Sequence, residues 1–165
     1  MGLVAAVVVG IGLRFVSRSD LWLDEALSVN VARLRLGSIA GWLRYHDGAP
    51  PLYYWLLHAW TAMFGTSDAA VRSLSGVFGV ASIPLAWLCG RCIGGRTTAN
   101  VAVVVLALNP FAIRYATETR MYGMEITLIF AAIVLTRRAM DSPTTLRLVA
   151  VAGVTALLEI GRAHV

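Results

Sequence analysis

The stretch Ser73–Gly90, SLSGVFGVASIPLAWLCG, is followed by the short segment Arg91–Thr98, RCIGGRTT, and then by Ala99–Ile113, ANVAVVVLALNPFAI. Two apolar runs joined by a loop carrying Arg91 and Arg96 predict a membrane hairpin. The arginines place that loop in the cytoplasm, because short cytoplasmic loops collect Lys and Arg. Further apolar runs lie on either side, at Leu3–Val16, Pro50–Gly65, Met121–Thr136 and Leu146–Leu158. Most fall short of the ~20 residues that a helix needs to cross a bilayer, so short or tilted spans are expected. The whole chain is 58% hydrophobic and 14% charged, with a mean hydropathy of +0.73, well outside the soluble globular range. The expected fold is an all-α polytopic membrane protein. It has about five transmembrane helices and two or three amphipathic interfacial helices in its first outer loop.

Parity fixes which ends face out. If Ser73–Gly90 runs inward, Ala99–Ile113 outward and Met121–Thr136 inward, the Arg91/Arg96 and Arg137/Arg138 loops are both cytoplasmic. Residues 109–122 then face outside, and with the N-terminus inside, so does the acidic pair Asp24-Glu25. Counting Pro50–Gly65 as a span would break this agreement. It is about 15 residues long, with two prolines at its start and Gly-Thr-Ser after it, and reads instead as an interfacial helix. Leu27, Val31 and Leu34, then Ile39, Trp42 and Leu43, recur at helical spacing among Arg33, Arg35 and Arg44, which predicts one or two surface helices over residues 25–45.

The outer end thereby gathers Asp24, Glu25, Arg44, His46, Asp47, Arg72, Arg114, Glu118, Arg120 and Tyr122. Ionisable groups at such depth line cavities or pair with one another. Glu118, Tyr122 and Glu125 share a helical face by their i, i+4, i+7 spacing, and should Arg120 form an internal ion pair, Glu118 or Glu125 is the available partner. All fourteen basic residues are Arg, scattered without a stripe to follow a phosphate backbone, so nucleic acid is excluded as a partner. The Cys89/Cys92 spacing has neither a second pair nor a neighbouring His and reads as two small residues at a helix end.

Four motifs in order carry a resemblance: Leu-Trp-Leu-Asp-Glu (21–25), His-Asp-Gly-Ala-Pro-Pro-Leu-Tyr-Tyr-Trp (46–55), Ala-Ala-Val-Arg-Ser-Leu-Ser-Gly-Val-Phe-Gly (69–79) and Asn-Pro-Phe-Ala-Ile-Arg-Tyr-Ala-Thr-Glu-Thr-Arg-Met-Tyr (109–122). Over about residues 3 to 140 the chain resembles the N-terminal part of GT-C glycosyltransferases. It is most similar to the branch holding protein O-mannosyltransferases and the aminoarabinose transferase of lipid A. The resemblance implies an enzyme moving a sugar from a polyprenyl-phosphate carrier to a lipid, glycan or protein acceptor on the outer face of the cytoplasmic membrane. Such transfer requires a base for the acceptor's proton and cations for the departing phosphate. Asp24 is the expected base, with a helix N-cap as its structural alternative, and Glu25 is expected to share the catalytic work. Arg72 and Arg120, with Tyr122, are the expected donor-phosphate ligands, since guanidinium matches phosphate oxygens. His46, Tyr53, Tyr54 and Glu118 are candidate substrate contacts, although His46 stands further from the Pro pair than in close family members. His58 and Trp60 read as packing residues. The resemblance fixes no cofactor, and a divalent metal, if one is used, would sit on Asp24 and Glu25. A transporter fragment or a non-catalytic membrane subunit is the alternative reading.

Residues 1–158 read as one part of such a membrane domain. The last seven residues, Glu-Ile-Gly-Arg-Ala-His-Val (159–165), interrupt an apolar helix and look like a translated adapter oligonucleotide. The expectation is therefore that this chain is a fragment of a longer one, possessing too few helices to enclose a site by itself.

Overall fold

The computed structural model describes residues 2–16 and 19–160, all of whose regular structure is helical. The eight helices are α1 (Gly2–Leu13), α2 (Leu23–Ala32), α3 (Leu36–His46), α4 (Pro51–Phe64), α5 (Asp68–Leu108), α6 (Pro110–Ala116), α7 (Tyr122–Asp141) and α8 (Thr145–Ile160). The proposed foreign tail falls mostly outside the described residues, with Glu159 and Ile160 closing α8.

Helix α5 is the one helix among the described residues that is long and apolar enough to cross a membrane, and it is not straight. Its backbone leaves helical geometry at Gly94 (φ −146°, ψ 19°) and Gly95 (φ 81°, ψ −160°). A positive φ is open to Gly at little cost, and this turn uses it to fold the chain back on itself. The two limbs touch: the Trp87 indole N–H donates to Asn100 Oδ1 at 3.4 Å, and a Cβ placed on Gly90 would lie 2.5 Å from Ala99 Cα. In a continuous helix these positions would be more than ten ångströms apart at ~1.5 Å per residue. The expected hairpin is therefore present, inside what is formally one helix.

The other long helices pack around that hairpin. α1 lies against it so closely that a Cβ on Gly10 would stand 2.5 Å from the Ala107 carbonyl oxygen. α7 runs alongside the first limb: Thr127 Oγ1 donates to Phe78 O at 2.7 Å and Cys89 Sγ to Phe130 O at 3.5 Å. α8 returns along α7, and Arg147 Nη1 donates to the carbonyls of Arg138 and Ser142 at 2.9 Å, closing the turn between them. Small residues let helices approach in this way where packing rather than water drives association. Gly90→Val should force the limbs apart, because the new side chain meets backbone and not a movable side chain. The expected loss is about 1–3 kcal/mol, read as a lower melting temperature of the detergent-purified protein.

Helices α2, α3 and α4 form a cap over the end where residues 68 and 108 lie. Its core is Val29, Val31, Ile39, Leu43, Tyr53, Tyr54, Leu57, Val71, Leu74 and Met124. Each aliphatic side chain buried there contributes about 1.5–3 kcal/mol relative to exposure in water. Residues 25–45 form two helices, as their periodicity predicts, broken at Arg33–Arg35. Pro50 and Pro51 start α4, whose missing N–H groups cost nothing at a first turn. His58 and Trp60 are packing residues that tie α4 down: His58 Nδ1 bonds to Ala32 O at 2.7 Å, and Trp60 Nε1 donates to Ala70 O at 2.9 Å. Arg91, Arg96, Arg137, Arg138 and Arg147 lie at the opposite end of the bundle from this cap.

Candidate functional site

The N-terminal turn of α2 separates the two adjacent carboxylates. Glu25, three residues after Trp22, turns inward and is 2% exposed, whereas Asp24 is exposed. Trp22 precedes the first helical residue and Asp24 is the second, so Asp24 is not the N-cap that its residue type suggests. The Asp24 carboxylate makes no hydrogen bond or ion pair among the described residues, and only its backbone carbonyl is used, accepting from Ser28 Oγ at 2.8 Å.

Glu25 is saturated. Oε1 accepts from Arg72 Nε and from the Thr119 amide, both at 2.9 Å; Oε2 accepts from Arg72 Nη2 at 2.6 Å and from the Trp22 amide at 3.1 Å. The fork of Arg72 is equally occupied, since Nη1 and Nη2 also donate to the carbonyls of Ser19 and Asp20 at 2.7 and 3.0 Å. This bidentate pair is buried on both sides and joins α2, α5, residues 19–22 and residues 117–121. Burial pushes the Glu25 carboxyl up, but the Arg72 fork and the two amides pull it down further, leaving it below the usual carboxylate range. The stability this contributes is present above the unfolded-state value of about 4.3 and disappears as pH falls through the lower folded-state value. The protection factor of the Thr119 amide, its exchange corrected for the intrinsic pH dependence, should thus fall on acidification below about pH 4 in the native chain, and be already low and independent of pH in Glu25→Gln.

A second cluster lies across the cap. Arg120 Nη1 stands 3.7 Å from Asp47 Oδ2 and 3.4 Å from Tyr54 Oη, and the Tyr54 hydroxyl donates to Asp47 Oδ2 at 3.3 Å. Burial pushes the Tyr54 phenol up, keeping it a neutral donor. Tyr122 and Tyr54 both favour the charged form of Arg120. Arg120 is thus paired with Asp47, not with Glu118 or Glu125. The predicted shared face of Glu118, Tyr122 and Glu125 does not form, because α7 begins at Tyr122 and Glu118 sits in the preceding loop, bonded to Arg114 Nε at 2.9 Å. The ring of Tyr122 packs on Tyr115. Tyr53 is fully buried, its hydroxyl 2.7 Å from Ser75 Oγ, which holds it away from any ligand. His46 is exposed, stacks on Trp42 and bonds through Nδ1 to Trp42 O at 2.9 Å.

Glu25 and Arg72 line a chamber of about 290 Å³ with Val16, Ser19, Trp22, Arg114, Thr117 and Glu118. Arg72, Arg114, Glu118 and Glu25 are thereby brought together, while Arg120, Tyr54, Tyr122 and Asp47 form the neighbouring cluster. The pair Asp24-Glu25 does not suit a metal centre, because each Glu25 oxygen already faces two N–H donors, and the described residues hold no group of three His, Cys, Asp or Glu side chains. Sequence reasoning missed Arg14, which is 1% exposed and lines a separate small cavity with Arg72 and Thr117. A lone cation inside the apolar run Leu3–Val16 was the available signal.

No curated protein and no solved structure matches the chain. One family does: the profile of dolichyl-phosphate-mannose-protein mannosyltransferases matches residues 48–159, from the turn before α4 to the end of α8. That match spans more than half of the chain and includes Arg72 and Arg120, while Asp24-Glu25 lies ahead of it. The chain belongs to the dolichyl-phosphate-mannose-protein mannosyltransferase family, membrane-embedded glycosyltransferases of the GT-C type.

Proposed function

We propose that this chain is the N-terminal part of a multi-pass glycosyltransferase of the cell membrane that takes a sugar from a polyprenyl-phosphate carrier on the extracytoplasmic face. α1, the two limbs of α5, α7 and α8 are its five spans, and α2 to α4 lie on the outer surface. The observation that carries the reading is the division of labour at residues 24 and 25: Glu25 is locked by four N–H donors, whereas Asp24 is exposed and unengaged on the same turn.

A general base must be free to take a proton, and Asp24 is. It accepts the proton of the acceptor hydroxyl as the new bond to the sugar's anomeric carbon forms and the bond to phosphate oxygen breaks. The carrier phosphate leaves with the bonding pair and is held by guanidinium groups. Arg120 is suited to this because its contact with Asp47 is loose at 3.7 Å. Arg114, 65% exposed at the chamber, can turn from Glu118 to a phosphate, whereas Arg72 is held by Glu25. Glu25 contributes by fixing Arg72 and the 117–121 loop. Tyr54 and Tyr122 orient Arg120, and His46 and Glu118 stand at the surface where an acceptor would approach. The test is transfer from a panel of radiolabelled polyprenyl-phosphate sugars in membranes expressing the complete gene, with transfer expected from at least one donor; no transfer from any would favour a non-catalytic subunit.

A further inference from the structure

Arg14, just beyond the end of α1, has no part in the chemistry above, yet it is more deeply buried than any other arginine among the described residues. Its guanidinium faces carbonyl oxygens only: Nη1 donates to Gly10 O at 2.7 Å and Ala107 O at 3.0 Å, and Nη2 to Leu106 O at 2.9 Å. Among the described residues no carboxylate pairs with it and its Nε has no acceptor, pointing at Gly79 so closely that a Cβ there would lie 3.2 Å away. A buried charge with no counter-ion and an orphaned donor is costly, so it needs a specific reason.

The carbonyls it holds supply that reason. Leu106 and Ala107 lie in the last turn of α5, where carbonyls lose their helical partners. Arg14 satisfies two of them and one at the end of α1, and so fixes the angle at which the chain leaves α5. From there Asn109 caps α6 by accepting from the amides of Phe111 and Ala112 at 2.9 and 3.0 Å, Ala116 seats against Gly79, and the chain reaches Thr119 and Arg120. Beyond this anchor the loop is pinned by single bonds: the Thr119 amide to Glu25, and Ser75 Oγ to Arg120 O at 3.1 Å. Resting on the transfer reading above, we propose that Arg14 is a positioning residue. It sets α6 and the 117–121 loop, and through them Arg120, without touching the substrate.

The experiment uses the complete protein in lipid nanodiscs and reads hydrogen exchange beside kinetics. In Arg14→Gln, exchange over residues 107–121 should rise about tenfold as local opening becomes easier, while residues 124–134 of α7 stay within about twofold. Arg14→Lys, which can still donate to carbonyls, should show a smaller rise of about threefold over 107–121, and it carries the test alone if the Gln variant does not accumulate. Exchange unchanged in 107–121, or raised equally in both segments, overturns the proposal. In the transfer assay, kcat should fall about tenfold or more in Arg14→Gln with the donor KM within about twofold, and recover in part in Arg14→Lys. A donor KM that rises while exchange over 107–121 stays native would instead make Arg14 a ligand of the donor and overturn the positioning role. Should the native protein transfer no sugar, the exchange result still decides whether Arg14 holds the loop.

Discussion

Asp24→Asn in the complete enzyme should lower sugar transfer by about 10²–10⁴-fold, the range by which a positioned base accelerates proton transfer. The structure makes this a clean substitution. Asp24 is exposed, is not the cap of α2, and its side chain holds nothing in place among the described residues, so expression and melting temperature should stay at native values. Surface changes of this kind ordinarily alter stability by no more than about 0.5 kcal/mol. Initial rates with saturating carrier-linked sugar, measured at equal protein, provide the check. Transfer within twofold of native would remove Asp24 from the chemistry and shift attention to the carboxylates of Asp47 and Glu118.

Glu25 should behave in the opposite way, with stability falling first. Removing either partner of the buried pair, as in Glu25→Ala or Arg72→Ala, leaves an uncompensated charge in the interior and should cost about 3–5 kcal/mol. For Glu25→Ala the amides of Thr119 and Trp22 lose their acceptors too; for Arg72→Ala the carbonyls of Ser19 and Asp20 lose their donors. The double variant should be less destabilised than the sum of the two singles, because no lone charge remains buried. Thermal unfolding of all four proteins completes the cycle. Additive losses would mean that the two side chains act independently, contrary to their 2.6 Å contact.

The adjacent carboxylates also show how far the sequence could be read. The residue types at 24 and 25 are nearly interchangeable chemically, and no pattern of neighbours tells which will be locked and which left open. That is decided by Arg72, 47 residues along the chain, and by the Thr119 amide, 94 residues along. The partner of Arg120 was out of reach for the same reason. Helical spacing pointed to Glu118 or Glu125, but residues 117–121 are not helical, and the partner is Asp47. Periodicity describes neighbours on one element and says nothing of a residue 73 positions away.

Local rules, by contrast, did most of the work on the architecture. Apolar runs and their arginine-bearing loops determined that the chain is helical, that the runs on either side of Arg91 and Arg96 double back on each other, and that residues 25–45 and 50–65 form short helices, since each of these follows from hydropathy and spacing alone. Only the tertiary structure decided which polar groups around the α2–α4 cap are tied and which are free. Burial of Glu25, Arg72 and Arg14 is set by elements converging from distant parts of the chain, and a charge surrounded in that way is held in place, while an equally charged neighbour facing water stays available for chemistry.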